Sequence, residues 1–220
     1  FDGDADRIVV IDEKGNIIRS DNLIALFLPE IITKNNKKII FDVKCSEALE
    51  EMIIKNNGEP LMWKTGHSLI KDKMKKENVN FAGEMSGHIF FADDYYGFDD
   101  ALYVGLRLLR LLSNTDKTLS QLLNSIPKYY STPEMRINCI NDKEKFLITK
   151  KAIKYFTDNY DCITIDGVRI KFNNGWGLVR SSNTQPVIVC RFEAKEEKKL
   201  NQIKNLVLNK LKDFGDITYE

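Results

Sequence analysis

Lys38-Ile39-Ile40-Phe41-Asp42-Val43 reads as a strand, and Ser46, three residues past its end, is a good N-cap for the helical stretch that follows. That helix stops near Asn57-Gly58, where glycine suits a helix C-terminus. Pro60 to Lys64 then reads as a second strand. Strand, helix and strand in this order argue for an α/β fold, with functional groups on the loops at the strand ends. The pattern extends both ways. Upstream, Ile8-Val9-Val10-Ile11 predicts a buried strand and Glu13-Lys14-Gly15-Asn16 a tight turn. Ile17-Ile18-Arg19 returns as a short strand, and Ser20 or Asp21 is expected to cap a helix reaching about Thr33. Downstream, a helix over Ser68 to Glu77 precedes strands at Asn80 to Ala82 and His88 to Phe91. Asp99 to Leu112 is an apolar helix with Leu102, Leu106, Leu109 and Leu112 on one face, and a short helix follows at Leu119 to Ile126.

The pattern breaks over Pro127 to Pro133, where a domain boundary is expected. Beyond it come a strand at Glu134 to Ile140, a helix at Asp142 to Tyr160, several strands, and a helix at Glu196 to Asp213 striped by Leu200, Ile203, Val207 and Leu211. This is a smaller α+β unit.

Composition narrows the function. With 220 residues, 43% hydrophobic, the chain can build one large or two smaller cores. Its 33 basic and 32 acidic residues leave a net charge of +1, without the footprint of a nucleic-acid binder. No apolar run is long enough for a membrane span, and no secretory signal is visible. Cys45, Cys139, Cys162 and Cys190 lack metal-ligand spacing and read as core thiols of a reducing compartment, so a cytoplasmic protein is expected. Residue 1 is Phe, and a ligand-like loop begins at once, which is expected of the C-terminal part of a longer polypeptide.

That loop is Asp2-Gly3-Asp4-Ala5-Asp6-Arg7. Alternation along a strand-like stretch would set three carboxylates on one face, where a divalent cation such as Mg²⁺ or Ca²⁺ relieves their repulsion. Arg7 adds a fork for a phosphate. A helix-loop-helix calcium site is rejected, because its obligatory glycine position holds Arg7 and strand residues fill its second half. Lys44 projects from a strand end as a point charge or proton donor. In Lys64-Thr65-Gly66-His67-Ser68, His67 opens a helix and can transfer protons near neutral pH. Gly83-Glu84-Met85-Ser86-Gly87-His88 gathers Glu84, Ser86 and His88 between two glycines, chemistry suited to a polyol. Arg180-Ser181-Ser182-Asn183-Thr184-Gln185-Pro186 reads as a loop between strands, dense in phosphate-binding groups.

Taken in order, these four motifs resemble the α-D-phosphohexomutase superfamily, and within it the phosphomannomutase/phosphoglucomutase branch. The resemblance covers essentially the whole chain. It implies a mixed-sheet α/β domain 3 followed by a smaller α+β domain 4. Residues 1–19 would be the tail of domain 2 with the metal loop, 20–130 domain 3 with the sugar loop, and 131–220 domain 4 with the phosphate loop. The implied reaction interconverts hexose 1-phosphate and hexose 6-phosphate through a 1,6-bisphosphate. Asp2, Asp4 and Asp6 would hold Mg²⁺, and Arg7 would neutralise the transferring phosphoryl group. Lys44 and His67 would move protons or stabilise charge. Glu84, Ser86 and His88 would bind the sugar, and Arg180, Ser182, Asn183 and Thr184 the non-reacting phosphate. Glu-Met-Ser and Ser-Asn-Thr look like the mannose/glucose type. Ala5 stands where many relatives have Gly, a change expected to be tolerated.

The family's Ser-His-Asn phosphoserine loop occurs nowhere in the chain. The expected partners are therefore a phosphosugar and the missing N-terminal domains of the same enzyme, and these residues alone are expected to be inactive. The alternative is a non-catalytic remnant that at most binds phosphosugars. An aspartate-nucleophile phosphatase is less favoured, since Arg7 follows the second-aspartate region and only Phe1 precedes Asp2.

Overall fold

In the computed structural model, which describes residues 1–182 and 184–218, the chain forms two compact units, Phe1–Pro127 and Lys128–Glu220. The α/β reading of the first and the α+β reading of the second are what the chain adopts.

The first unit opens with a hairpin, β1 (Val10–Ile11) against β2 (Ile17–Ile18). Its main sheet has the order β4 (Glu59–Trp63), β3 (Lys38–Asp42), β5 (Phe81–Gly83), β6 (Ile89–Phe91). β3 runs parallel to β4 and β5, and β6 runs antiparallel to β5. The helices are α1 (Ser20–Ile31), α2 (Glu47–Lys55), α3 (His67–Glu77), α4 (Ala101–Ser113) and α5 (Leu119–Leu123). Side chains alternate across the sheet. Ile40, Ala82 and Phe90 meet Ile70 and Met74 of α3 on one face. Phe81 and Phe91 meet Phe27 of α1 on the other, and Tyr103 of α4 stands edge-on to Phe91.

Three expectations need correction here. The stretch Asp2 to Arg7 is a turn rather than a strand, with Ala5 at φ 59°, a left-handed conformation. Ile8 to Ile11 is no buried strand either. Ile8 is buried, but Val9 and Ile11 are exposed, because the two-residue hairpin has no sheet on its outer side. Helix α1 is capped by neither Ser20 nor Asp21. Arg19 is its N-cap residue, without a side-chain cap bond, and the buried Asp21 carboxylate instead takes the Ser46 N–H at the head of α2. Ser46 does cap α2, accepting from Ala48 N–H.

On α4 the leucines share a face as expected, yet that face is open: Leu102, Leu106 and Leu109 are 57%, 65% and 63% exposed. The helix buries Ala101, Val104, Arg107 and Leu108 instead. Arg107 can be buried because Asp93 and Glu30 take its guanidinium and the Phe91 ring lies beneath it.

The second unit is an antiparallel sheet, ordered β7 (Tyr130–Ser131), β12 (Val187–Ala194), β11 (Gly175–Ser181), β10 (Val168–Phe172), β9 (Cys162–Ile163), with β8 (Met135–Asn138) also paired to β12. Helices α6 (Asp142–Asn159) and α7 (Glu197–Lys212) cover one face, where Leu200, Ile203, Val207 and Leu211 of α7 form the expected stripe over Ile170, Val179 and Phe192. Gly167, at φ 74°, turns the chain into β10. A Cβ there would lie 2.2 Å from Val179 O and 2.7 Å from Arg180 Cα. All four cysteines are free thiols, and no helix among the described residues is long and apolar enough to cross a membrane.

Candidate active site

The acidic turn at the start closes on itself. Arg7 donates from its backbone N–H to Asp2 Oδ1 (3.2 Å) and from Nε to Asp2 Oδ2 (2.5 Å), and Asp2 N–H returns a bond to Arg7 O. Burial works to raise the Asp2 carboxyl, but the bonds and charge of Arg7 outweigh it and bring it down to about 2. One oxygen each of Asp2, Asp4 and Asp6 lies within 4.8 Å of the others. Asp6 moves the other way: burial raises it against the pull of His88, and the Asp4 and Asp2 charges add to the rise. Its Oδ1 is buried without a hydrogen-bond partner. Three converging carboxylates, with a buried Asp6 oxygen that, among the described residues, makes no hydrogen bond and has only the Arg7 guanidinium at 3.7 Å, fit a small divalent cation. The loop geometry thus gathers the three carboxylates that strand alternation was expected to gather.

The next loops meet at a residue that sequence reasoning passed over. Asp42, at the end of β3, is fully buried. Its Oδ1 accepts from Met85 N–H (3.0 Å) and Cys45 Sγ (3.1 Å), and its Oδ2 accepts from Thr65 Oγ1 (3.0 Å). The 42–46, 64–68 and 83–88 loops are therefore tied to one carboxylate. Lys44 is buried beside it, Nζ 3.9 Å from Asp42 Oδ2. Glu84 is also buried. It accepts from Gly66 N–H through Oε1, and Ser86 Oγ donates to its Oε2 at 3.4 Å. Burial, reinforced by the Asp42 charge, pushes the Glu84 carboxyl up to about 7, against the Gly66 bond. Near neutral pH it can donate as well as accept toward a hydroxyl.

The two histidines stack, ring centroids 5.4 Å apart. Each Nδ1 lies 3.2 Å from Asp99 Oδ2, and Lys71 Nζ donates to Asp99 Oδ1 (2.8 Å). Burial lowers the basicity of His88, while His67 is half exposed. His88 is held against the first loop: Gly87, at φ 106°, offers its carbonyl to Ile8 N–H, and a Cβ there would come within 3.0 Å of Ile8 O. His67, His88, Glu84 and Ser86 thus share a neighbourhood with Asp6 and Lys44. Asp99 faces both histidines, although His88 Nδ1 is buried without a hydrogen-bond partner among the described residues. It was expected only as the start of a helix, since an acidic residue before a helix has no local mark of a charge partner 32 residues upstream.

In the second unit, Arg180 belongs to β11 and not to the loop as expected. It is buried, its Nε donating to Asp166 Oδ2 (2.9 Å). Ser182 Oγ accepts from Thr184 N–H and Gln185 N–H, both at 3.3 Å. Thr184 is exposed, and Asn183 lies outside the described residues. Beneath this loop sits the buried Lys145 of α6, donating to Ser182 O, Gln185 O (both 2.9 Å) and Asp142 Oδ1 (2.6 Å).

Comparison with known proteins follows this layout. Residues 19–130 match the family model for phosphoglucomutase/phosphomannomutase, alpha/beta/alpha domain III, and residues 134–210 match the model for the phosphoglucomutase/phosphomannomutase C-terminal domain. The chain is 46% identical over 214 residues to a phosphomannomutase/phosphoglucomutase of Pseudomonas putida, covering 96% of this chain and 46% of the relative. It is 46% identical over 208 residues to a phosphoglucomutase of Neisseria meningitidis, covering 93% and 45%. A crystal structure of a phosphoglucomutase/phosphomannomutase family protein from Burkholderia thailandensis superposes with a TM-score of 0.88 at 41% identity, covering 99% of this chain and 47% of that one. The chain spans about half the length of the curated relatives it matches.

Proposed function

The chain belongs to the phosphoglucomutase/phosphomannomutase family, and from that premise we propose that it supplies the metal, sugar and phosphate loops of an enzyme interconverting hexose 1-phosphate and hexose 6-phosphate through a bisphosphate. The single observation that carries this reading is the Asp42 junction, which holds the Lys44, Thr65–His67 and Glu84–Ser86 loops in one place.

Each residue has a role that its surroundings allow. Asp2, Asp4 and Asp6 would hold Mg²⁺, which when bound supplies positive charge for a phosphoryl group. Arg7, half exposed, keeps its guanidinium at the same loop. Glu84 and Ser86 receive sugar hydroxyls, the raised Glu84 carboxyl serving as donor or acceptor. Asp99 places a carboxylate 3.2 Å from the Nδ1 atoms of His67 and His88, a charge that favours their protonated forms when either takes a substrate proton. Lys44 adds a buried positive charge. Arg180, Ser182, Asn183 and Thr184 take the phosphate that is not reacting, each charge-assisted bond contributing roughly 1.5–3 kcal/mol. The serine nucleophile of this reading would come from the other half of the relatives' length.

Titrating the ¹⁵N-labelled chain with glucose 1,6-bisphosphate tests the reading. The Gly66, Met85 and Ser182 amides should shift. Unmoved spectra at millimolar ligand would reject it. A second reading, a remnant that binds but does not turn over, is favoured by the length match alone. Fusing the N-terminal half of the Pseudomonas putida relative to this chain separates the two: mutase activity of the fusion supports the first, and binding without turnover the second.

A further inference from the structure

We propose that Lys145 is a positioning residue, a buried cation that clamps the loop after β11 into the shape that receives an anion. The inference rests on the reading of Arg180, Ser182 and Thr184 as part of a phosphate seat. Lys145 lies in the first turn of α6, and only 2% of it is exposed. A buried ammonium needs its three donors filled, and here they are. Two go to backbone carbonyls of the loop itself, Ser182 O and Gln185 O, each at 2.9 Å. The third goes to Asp142 Oδ1 one turn back.

The two loop carbonyls are three residues apart, so one ammonium fixes both limbs of the turn. Ser182 Oγ then gathers the Thr184 and Gln185 amides from inside the turn, Ser182 N–H pairs with Val187 O (2.9 Å), and Val187 N–H pairs with Gln185 O (2.8 Å). Drawing carbonyls inward toward a cation removes negative dipole ends from the surface that would face a phosphate. It also places the ammonium, ion-paired to Asp142, below that surface. Lys145 touches no ligand in this scheme and acts through the loop.

The test uses the 220-residue chain and two readouts. Lys145→Met, one atom shorter, keeps most of the apolar stem but takes the ammonium from both carbonyls, leaving Gln185 O only its bond from Val187 N–H. Amide hydrogen exchange at Ser182 and Val187 should accelerate tenfold or more, while Val179 and Cys190, paired within the sheet, keep their protection. Affinity for glucose 1,6-bisphosphate should fall at least tenfold. Asp142→Asn, which alters only the exposed third acceptor, should leave both readouts near wild type. If Lys145→Met does not fold, Lys145→Gln, neutral and too short to span both carbonyls, is read the same way. Unchanged exchange would overturn the clamp. Faster exchange with unchanged affinity would overturn its role in binding. A wild-type chain that binds no bisphosphate would reject the phosphate seat itself, and exchange alone would then decide the clamp.

Discussion

Asp42 Oδ1 accepts the Met85 backbone N–H at 3.0 Å, a bond that closes 43 residues of chain and fixes the sugar-loop candidate to the end of β3. The same carboxylate holds Thr65 and Cys45. Asp42→Ala leaves the Met85 amide and the Thr65 hydroxyl without their acceptor. With about 1–3 kcal/mol for each of these two half-buried groups left unsatisfied, the loss should be about 2–6 kcal/mol in urea unfolding, and Asp42→Asn should cost less. A loss below about 0.5 kcal/mol for Asp42→Ala, the range of an uninvolved surface site, would show that Asp42 does not join the loops.

Glu84 should give the chain a recognisable pH dependence. Its folded carboxyl titrates at about 7 against an ordinary value of 4.5. Below 4.5 it is neutral in both states. Between 4.5 and about 7 only the unfolded chain releases the proton, so stability falls as pH rises through this window and levels off above it. The full loss is on the order of 3 kcal/mol. Comparing wild type with Glu84→Gln across the window isolates this contribution, because the variant lacks it. Parallel curves for the two proteins would mean that Glu84 titrates normally.

The acidic turn should respond to Mg²⁺. At ten times the dissociation constant, a single site binding only the folded chain adds about 1.4 kcal/mol. Thermal unfolding should therefore shift upward in wild type and remain unmoved in a chain carrying Asp2→Asn, Asp4→Asn and Asp6→Asn. An equal shift in that variant would place the ion elsewhere.

Helix α4 should treat its leucines unequally. Leu106→Lys and Leu109→Lys replace exposed side chains and should each change stability by about 0.5 kcal/mol or less. Leu108→Ala, at a buried position, should cost about 2–5 kcal/mol. Equal costs in chemical denaturation would contradict the orientation of the helix.

Gly167→Ala should unsettle the support of Arg180. The new methyl would meet Val179 O and Arg180 Cα at a backbone conformation unsuited to alanine. A loss of roughly 2–4 kcal/mol is expected from these combined effects. Near-native stability of the variant would show that the turn can move aside without consequence.

Much of this protein was written in short-range pattern. Ser46 with the stop at Asn57-Gly58 marked α2, the leucine and valine spacing marked α7, and the glycine-bracketed Glu84–His88 segment marked a polar loop, because each signal spans only a few neighbouring residues. What distant parts of the chain decide was not legible. The aspartate turn curls instead of extending because Arg7 reaches back to Asp2. The α4 leucine face stays open because the sheet is met by the opposite side, at Val104 and Leu108. Asp42, Asp99 and Lys145 carry no local mark at all. Their importance comes from burial and from partners far along the chain, and a charged side chain shows its role only when the fold has taken water away and supplied those partners.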